Sequence, residues 1–299
     1  MHGRIRTWGP GALVLLPTVL LLGYFVYGLI AWSFNTSLTD RHTARKGPAQ
    51  HVGFENYANL FSEDRFINSL KNLGVLTVVF IVGTLIFGLL WALLLEKGVP
   101  GESIFRSIYL FPMAISMIAS GVVWGWLLNP SQGEDARGLN RLFEMLHLHF
   151  LENPWWTGGS RWTTMASIAL PAVWQMSGYI MALFLAGFRG IPPELREAAR
   201  VDGASEFKLY RHVLFPQLSP IALSALIILG HISLKLFDLI YAITGPNQFR
   251  TEVPAILMWN TLLRSDLAKA SAIGIVMLAV VAVLVIPYLA WTVRQETEQ

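Results

Sequence analysis

Cysteine is absent from the 299 residues and charge is scarce, with Asp, Glu, Lys and Arg making up 14% of the chain against 54% for hydrophobic residues. The missing thiols remove disulfides, zinc–thiolate sites and thiol nucleophiles together. Soluble domains carry about 25% charged residues, so a water-soluble globule of this length would lack the polar surface to cover itself. What charge exists is clustered. Thr7–Thr39, Asn72–Leu95, Ser107–Gly133, Trp162–Phe188, Val213–Gly230 and Ala270–Val293 contain no Asp, Glu, Lys, Arg or His. Each reaches the ~18 apolar-dominated residues of a bilayer-crossing helix. The chain reads as an all-α integral membrane protein with about six transmembrane helices, and soluble enzyme classes are largely excluded.

Motifs of chemistry are missing too. There is no GxxxxGK(S/T) loop to cradle nucleotide phosphates, no HExxH and no GxSxG. His147 and His149 stand two apart, which on a helix turns them to different faces. No catalytic residue, metal ligand or cofactor of its own is therefore expected. The net charge of +3 and pI near 9.2 would permit an acidic partner. The basic residues are scattered between spans, however, without the stripe or arm that nucleic-acid binding uses.

The spans are expected at Gly9–Ser33, Leu73–Leu95, Ile108–Leu128, Thr164–Gly187, Leu218–Ile240 and Ser271–Val293. Arg4 and Arg6 precede the first apolar run as in a secretory signal, but the run is too long and closes without a small-x-small site. An even number of spans places both termini on one side. With the termini inside, Lys and Arg count 10 inside and 11 outside. The inside segments are about half as long, so basic density favours cytoplasmic termini. Gly121 and Gly125 form a GxxxG on the third span, a pattern suited to close helix packing.

Two of the outer loops are long. Asn35–Lys71 reads as a connector with turn residues Lys46-Gly47-Pro48 and an amphipathic stretch around Phe54–Phe66. Asn129–Thr163 carries turn signals at Asn129-Pro130 and Gly158-Gly159 around a helix-like Leu139–Leu148. Its Trp155, Trp156 and Trp162 fit an interfacial aromatic belt or a stacking platform for sugar rings.

The loop from Arg189 to Pro216 holds half of the inside charge. Pro192-Pro193 is a helix start, because the first turn has no use for the missing N–H. Glu194 and Glu197 offset the positive end of the helix dipole. Leu195, Ala198, Ala199 and Val201 make a narrow apolar face, and Asp202-Gly203 breaks the helix. A second short helix, Ala204 to about Leu214, repeats apolar residues at Phe207, Tyr210 and Leu214 until Pro216 ends it. Two short amphipathic helices at a bend on the membrane face suggest docking on a protein.

Glu197-Ala198-Ala199, then Gly203, Val213 and Phe215-Pro216 resemble the EAA signature of binding-protein-dependent ABC importer permeases, with its spacing kept throughout and Val213 and Phe215 in place of its Ile and Leu. The likeness extends through Ile104-Phe105-Arg106-Ser107, Phe111-Pro112, Val123-Trp124-Gly125-Trp126, Asn129-Pro130 and Phe237-Asp238-Leu239-Ile240-Tyr241. These are similar to the MalF-like group of carbohydrate-importer permeases, from which Thr244-Gly245-Pro246-Asn247 departs where a GGP is usual. The resemblance implies a type I importer permease fold with a cytoplasmic coupling helix. It casts Glu197, Ala198, Ala199, Asp202 and Gly203 as the contact with a separate ATPase, where ATP and Mg would be held. It further implies a second related permease, two ATPase subunits, an extracytoplasmic solute-binding protein and a carbohydrate substrate, all at a bacterial or archaeal cell membrane. Residues 1–70 would then be a first span and external connector, 71–293 a five-helix permease core containing the coupling loop 189–216, and 294–299 a cytoplasmic tail.

Within the spans only Lys235 and Asp238 carry formal charge, with His231 one turn earlier. On one continuous helix 231, 235 and 238 share a face. Each charge at mid-bilayer costs about 2.5–3.5 kcal/mol, so the face should meet the bundle interior or a wet cavity. The pair could hydrogen-bond sugar hydroxyls, hold the helix against a partner permease, or leave Lys235 snorkelling to the interface. Tyr241, Trp174, Gln175 and Tyr179 complete the pathway candidates, and packing explains them equally well. Another polar solute, or an ion-coupled carrier, is the alternative; a carrier predicts inverted repeats, of which the sequence shows none that convince.

Overall fold

The computed structural model describes residues 14–42 and 49–297, with 284 and 287–297 described by backbone alone. Among the described residues the chain is helical, with one isolated bridge between Thr39 and His51 in place of any strand. Three helices are long and apolar enough to cross a bilayer by themselves. They are α1 (Val14–Ser37), α3 (Asp64–Glu96) and α7 (Arg161–Gly190). The expected start of the first span, Gly9, lies outside the described residues; its helix runs on to Ser37. The last helix, α13 (Leu267–Thr297), has 31 residues and passes the expected end at Val293. The connector helix α2 (Glu55–Ser62) and the loop helix α6 (Gly138–Met145) lie where the amphipathic patterns place them.

Two spans expected to be single helices are broken. The third is a pair, α4 (Glu102–Ala114) and α5 (Met117–Leu127), bent by 96°. Pro112 has no N–H to give, Ile115 is extended, and Ser116 restarts the helix by accepting from the Ala119 N–H at 3.2 Å. Just ahead of the fifth, α9 (Glu206–Gln217) and α10 (Ser219–Ser233) meet at 61°, so the short helix carries Pro216 inside it and ends at Leu218. A second break separates α10 from α11 (Phe237–Thr244), as the Lys235 N–H turns back to the Ile232 carbonyl at 2.9 Å. His231, Lys235 and Asp238 consequently belong to α10, the turn and α11. The single helical face expected for them does not form.

The chain divides into two compact units, residues 1–67 with 257–280, and 68–256 with 281–299. In the first, α1 keeps its apolar side chains outward and buries none of its most apolar window. Asn56 ties the end of α1 down by donating to the carbonyls of Ser37 and Thr39 at 2.7 and 2.8 Å. Asp266 caps α13 through the Lys269 N–H at 3.0 Å, and its carboxylate meets His42 at the same distance.

In the second unit α7 is the central helix, with 72% of its most apolar window buried. Glycines permit its close neighbours. Gly83 and Gly88 of α3 face Val173 and Ile180, Gly187 faces Leu218 and Ile221, and Gly178 lies against the Tyr109 carbonyl. The GxxxG of α5 does the same work: a Cβ at Gly121 would stand 2.6 Å from Ala242, and one at Gly125 3.3 Å from the Ile243 backbone. In the outer loop, buried Asn140 donates to the carbonyls of Asn129, Ser131 and Asn153 and accepts from the Trp155 indole at 3.1 Å. Trp155 is thereby committed to the loop's own structure.

Candidate coupling site and pathway residues

The coupling segment begins where α7 ends. Ile191 is extended, Pro192 caps, and Pro193 opens α8 (Pro193–Val201) with Glu194 in its first turn. Its far end is a Schellman closure: the Gly203 N–H donates to the Arg200 carbonyl and the Ala204 N–H to the Ala199 carbonyl, at 3.0 and 2.9 Å. Gly203 sits at φ +77°, the left-handed backbone that glycine adopts without a Cβ penalty. Ser205 then caps α9 by accepting from Lys208 N–H. This is the physical need behind a glycine four residues past the second alanine.

The bend leaves α8 with an outward surface. Val201 is 87% exposed, and Leu195, Glu197, Ala198 and Asp202 are exposed as well. Glu197 and Asp202 reach no side-chain partner among the described residues. Apolar groups left bare on so polar a helix mark a surface for another protein. Ala199 is half-buried at the root of the bend.

What holds this surface in place is a cluster that sequence reasoning missed. Glu96, the last residue of α3, has a side chain only 6% exposed and accepts both from Arg196 of α8 and from the Tyr210 hydroxyl of α9, the latter at 2.6 Å. Arg196 also donates to the Phe188 carbonyl at the end of α7, at 3.1 Å. One carboxylate thus fastens both short helices to two spans. Arg189 reaches Glu102 at 2.6 Å and adds the start of α4. Burial first, then the Glu96 hydrogen bond, pushes the Tyr210 phenol up to about 12, so it remains a donor at physiological pH. Arg200 and Glu206 also pair, at 3.1 Å, but both are well exposed and contribute little. Glu96 reads in the sequence as a span boundary; the signal available was a carboxylate ending an apolar run beside a loop holding Arg and Tyr.

The pathway candidates scatter. Lys235 is exposed in the turn and Asp238 in the first turn of α11, and neither forms an ion pair among the described residues. Tyr241, a turn beyond Asp238, is half-buried with its ring 5.3 Å from that of Phe237. Trp174 is 39% exposed and lies 5.8 Å from Trp124, and Tyr179 is half-buried. Gln175 is buried, donating its amide to the Ile115 carbonyl that the α4–α5 break sets free. Its own oxygen has no partner. His149 lies 2.7 Å from Glu152; that bond, with the Gly133 N–H, holds the Glu152 carboxyl below the usual range.

Long apolar helices and sharply bent helix pairs define a multi-pass membrane protein. Residues 84–297 match the family described as binding-protein-dependent transport system inner membrane component, and the chain belongs to that family. It is 39% identical over 288 residues to a probable ABC transporter permease protein of Pyrococcus horikoshii, covering 95% of this chain and 96% of that one. It is 32% identical to the xylose/arabinose import permease protein XacH of Haloferax volcanii, covering 92% and 86%. With the trehalose/maltose transport system permease protein MalF of Thermococcus litoralis it shares 30%, covering 93% and 92%. The fold matches a crystal structure of a bacterial ABC transporter involved in the import of the acidic polysaccharide alginate, at TM-score 0.79 and 22% identity over 97% of both chains.

Proposed function

We propose that this chain is the transmembrane permease subunit of an ATP-driven, binding-protein-dependent importer of a mono- or oligosaccharide. The observation that carries the reading is the outward α8–Gly203–α9 surface, seated on Glu96 in a chain whose relatives include named sugar permeases over most of their length. In this reading both termini are cytoplasmic, as is the coupling surface. A second related permease completes the path. Two ATPase subunits dock beneath, ATP and Mg are held there, and a solute-binding protein delivers sugar from outside.

The mechanism follows from the fastening. When nucleotide closes the ATPases, their push enters at Val201, Ala198 and Glu197. Arg196 and Tyr210 pass it to Glu96, moving the inner ends of α3 and α7 together. The cavity turns outward, sugar enters, and hydrolysis resets it; nucleotide and ligand bias one two-state element. Asp238 and Tyr241 offer the hydroxyl-binding groups on α11. The test is ATPase activity of the reconstituted complex with its binding protein across a panel of sugars. Stimulation by one or more sugars supports the reading, and a chain that purifies and transports alone refutes it.

A further inference from the structure

A groove of about 480 Å³ opens between the inner end of α3 and α9. Its floor is Leu90, Leu93 and Leu94, its opposite wall Phe207 and Phe215, and its polar rim Lys97, Arg211 and Glu206. We propose that this groove binds an anionic phospholipid, one acyl chain lying on the leucines and the headgroup phosphate meeting Lys97 and Arg211.

Depth supports a lipid. The leucines close the uncharged stretch Asn72–Leu95, and Glu96-Lys97 are the first charges after it. At 1.5 Å per residue, Leu90 and Lys97 stand about 10 Å apart along the helix, the depth over which an interfacial helix buries its apolar face. In the proposed orientation the floor is at acyl depth and the rim at headgroup depth. Leu94 is 54% exposed, so the floor is open.

Charge selects the lipid class. Neither Lys97 nor Arg211 has a carboxylate within 4.0 Å among the described residues. The two nearby carboxylates are taken: Glu96 by Arg196 and Tyr210, and Glu206 by Arg200. Lys97 rests 6.0 Å from the centre of the Tyr210 ring, which leaves its charge available. An apolar groove whose rim carries two cations against one carboxylate, itself paired with Arg200, fits a phosphodiester with a negative charge.

The test uses the complete complex in nanodiscs of equal parts phosphatidylcholine and phosphatidylglycerol, with retained lipid read by native mass spectrometry after detergent washing. The wild type should retain phosphatidylglycerol over phosphatidylcholine. Lys97→Gln and Arg211→Gln should each weaken retention about fivefold, and together about thirtyfold. Leu94→Trp fills the groove without altering charge and should lose the lipid, whereas Lys97→Arg should keep it. The single variants keep the test readable if the double variant does not assemble. Equal retention of the two lipids by the wild type would overturn the proposal, as would retention indifferent to both cations. A disulfide from Leu94→Cys to a partner polypeptide in native membranes would also overturn it, by placing protein in the groove.

Discussion

Glu96 sits at the crossing of two demands, since a carboxylate is costly at the edge of a bilayer and a loop of two short helices needs an anchor. Its neighbours resolve both, because Arg196 neutralises it and Tyr210 takes its second oxygen. Glu96→Ala leaves a partly buried guanidinium without its counter-charge and should cost about 3–5 kcal/mol, seen as a lower melting temperature of the complex. Glu96→Leu with Arg196→Met and Tyr210→Phe should recover most of that stability while sugar uptake per ATP hydrolysed stays low. The Tyr210 phenol, raised to about 12 from 10 when folded, favours the folded state fully below pH 10 and less as pH climbs through 12. The wild type should therefore lose melting temperature over that window more steeply than Tyr210→Phe. Gly203→Ala meets no atom within 4 Å, so its cost is backbone alone, about 1–2 kcal/mol. Gly203 was legible because Asp-Gly after an amphipathic run is a local stop signal. Glu96 was not, because its partners lie 100 and 114 positions away in the chain.

At the scale of elements, the breaks matter more than the spans. Hydropathy located the long apolar helices α1, α3 and α7, yet Ile115, Leu234 and Leu236 are as apolar as their surroundings, so averaging passes over the turns. Pro112 and Ser116 are local hints of the first break. What sustains it is Gln175, supplied 60 positions later, which takes the carbonyl the helix abandons. Gln175→Leu should leave that carbonyl unsatisfied and cost about 1–3 kcal/mol, detected as reduced insertion-competent protein and a lower melting point. Gly178→Ala is the harsher change. Its methyl would collide with the Tyr109 carbonyl, and membrane levels of the variant should fall well below those of Gly187→Ala, whose added methyl meets only side chains.

At the scale of the whole molecule, membrane class and coupling bend were readable because both rest on local pattern: missing charge over long runs, and proline, acid and glycine at fixed offsets. The placement of the pathway candidates was not, since it depends on broken helices whose geometry no periodicity encodes. Lys235 and Asp238 illustrate this, as their expected alignment dissolves once the turn between α10 and α11 forms. Asp238 remains exposed, and Asp238→Ala should lower uptake while the complex still assembles, checked by transport in vesicles beside co-purification of the subunits. Val201→Glu should act at the other end, abolishing co-purification of the ATPase without reducing the amount of permease in the membrane.

Helix α7 runs 30 residues, about 45 Å, from Arg161 to Gly190, hemmed along its length by backbones admitted at Gly83, Gly88 and Gly178. Such a rod has no slack in which to absorb displacement. On the proposed reading it serves as a pushrod, carrying a shift imposed near Gly190 to its other end, where Arg161 grips Asn68 and Asn72.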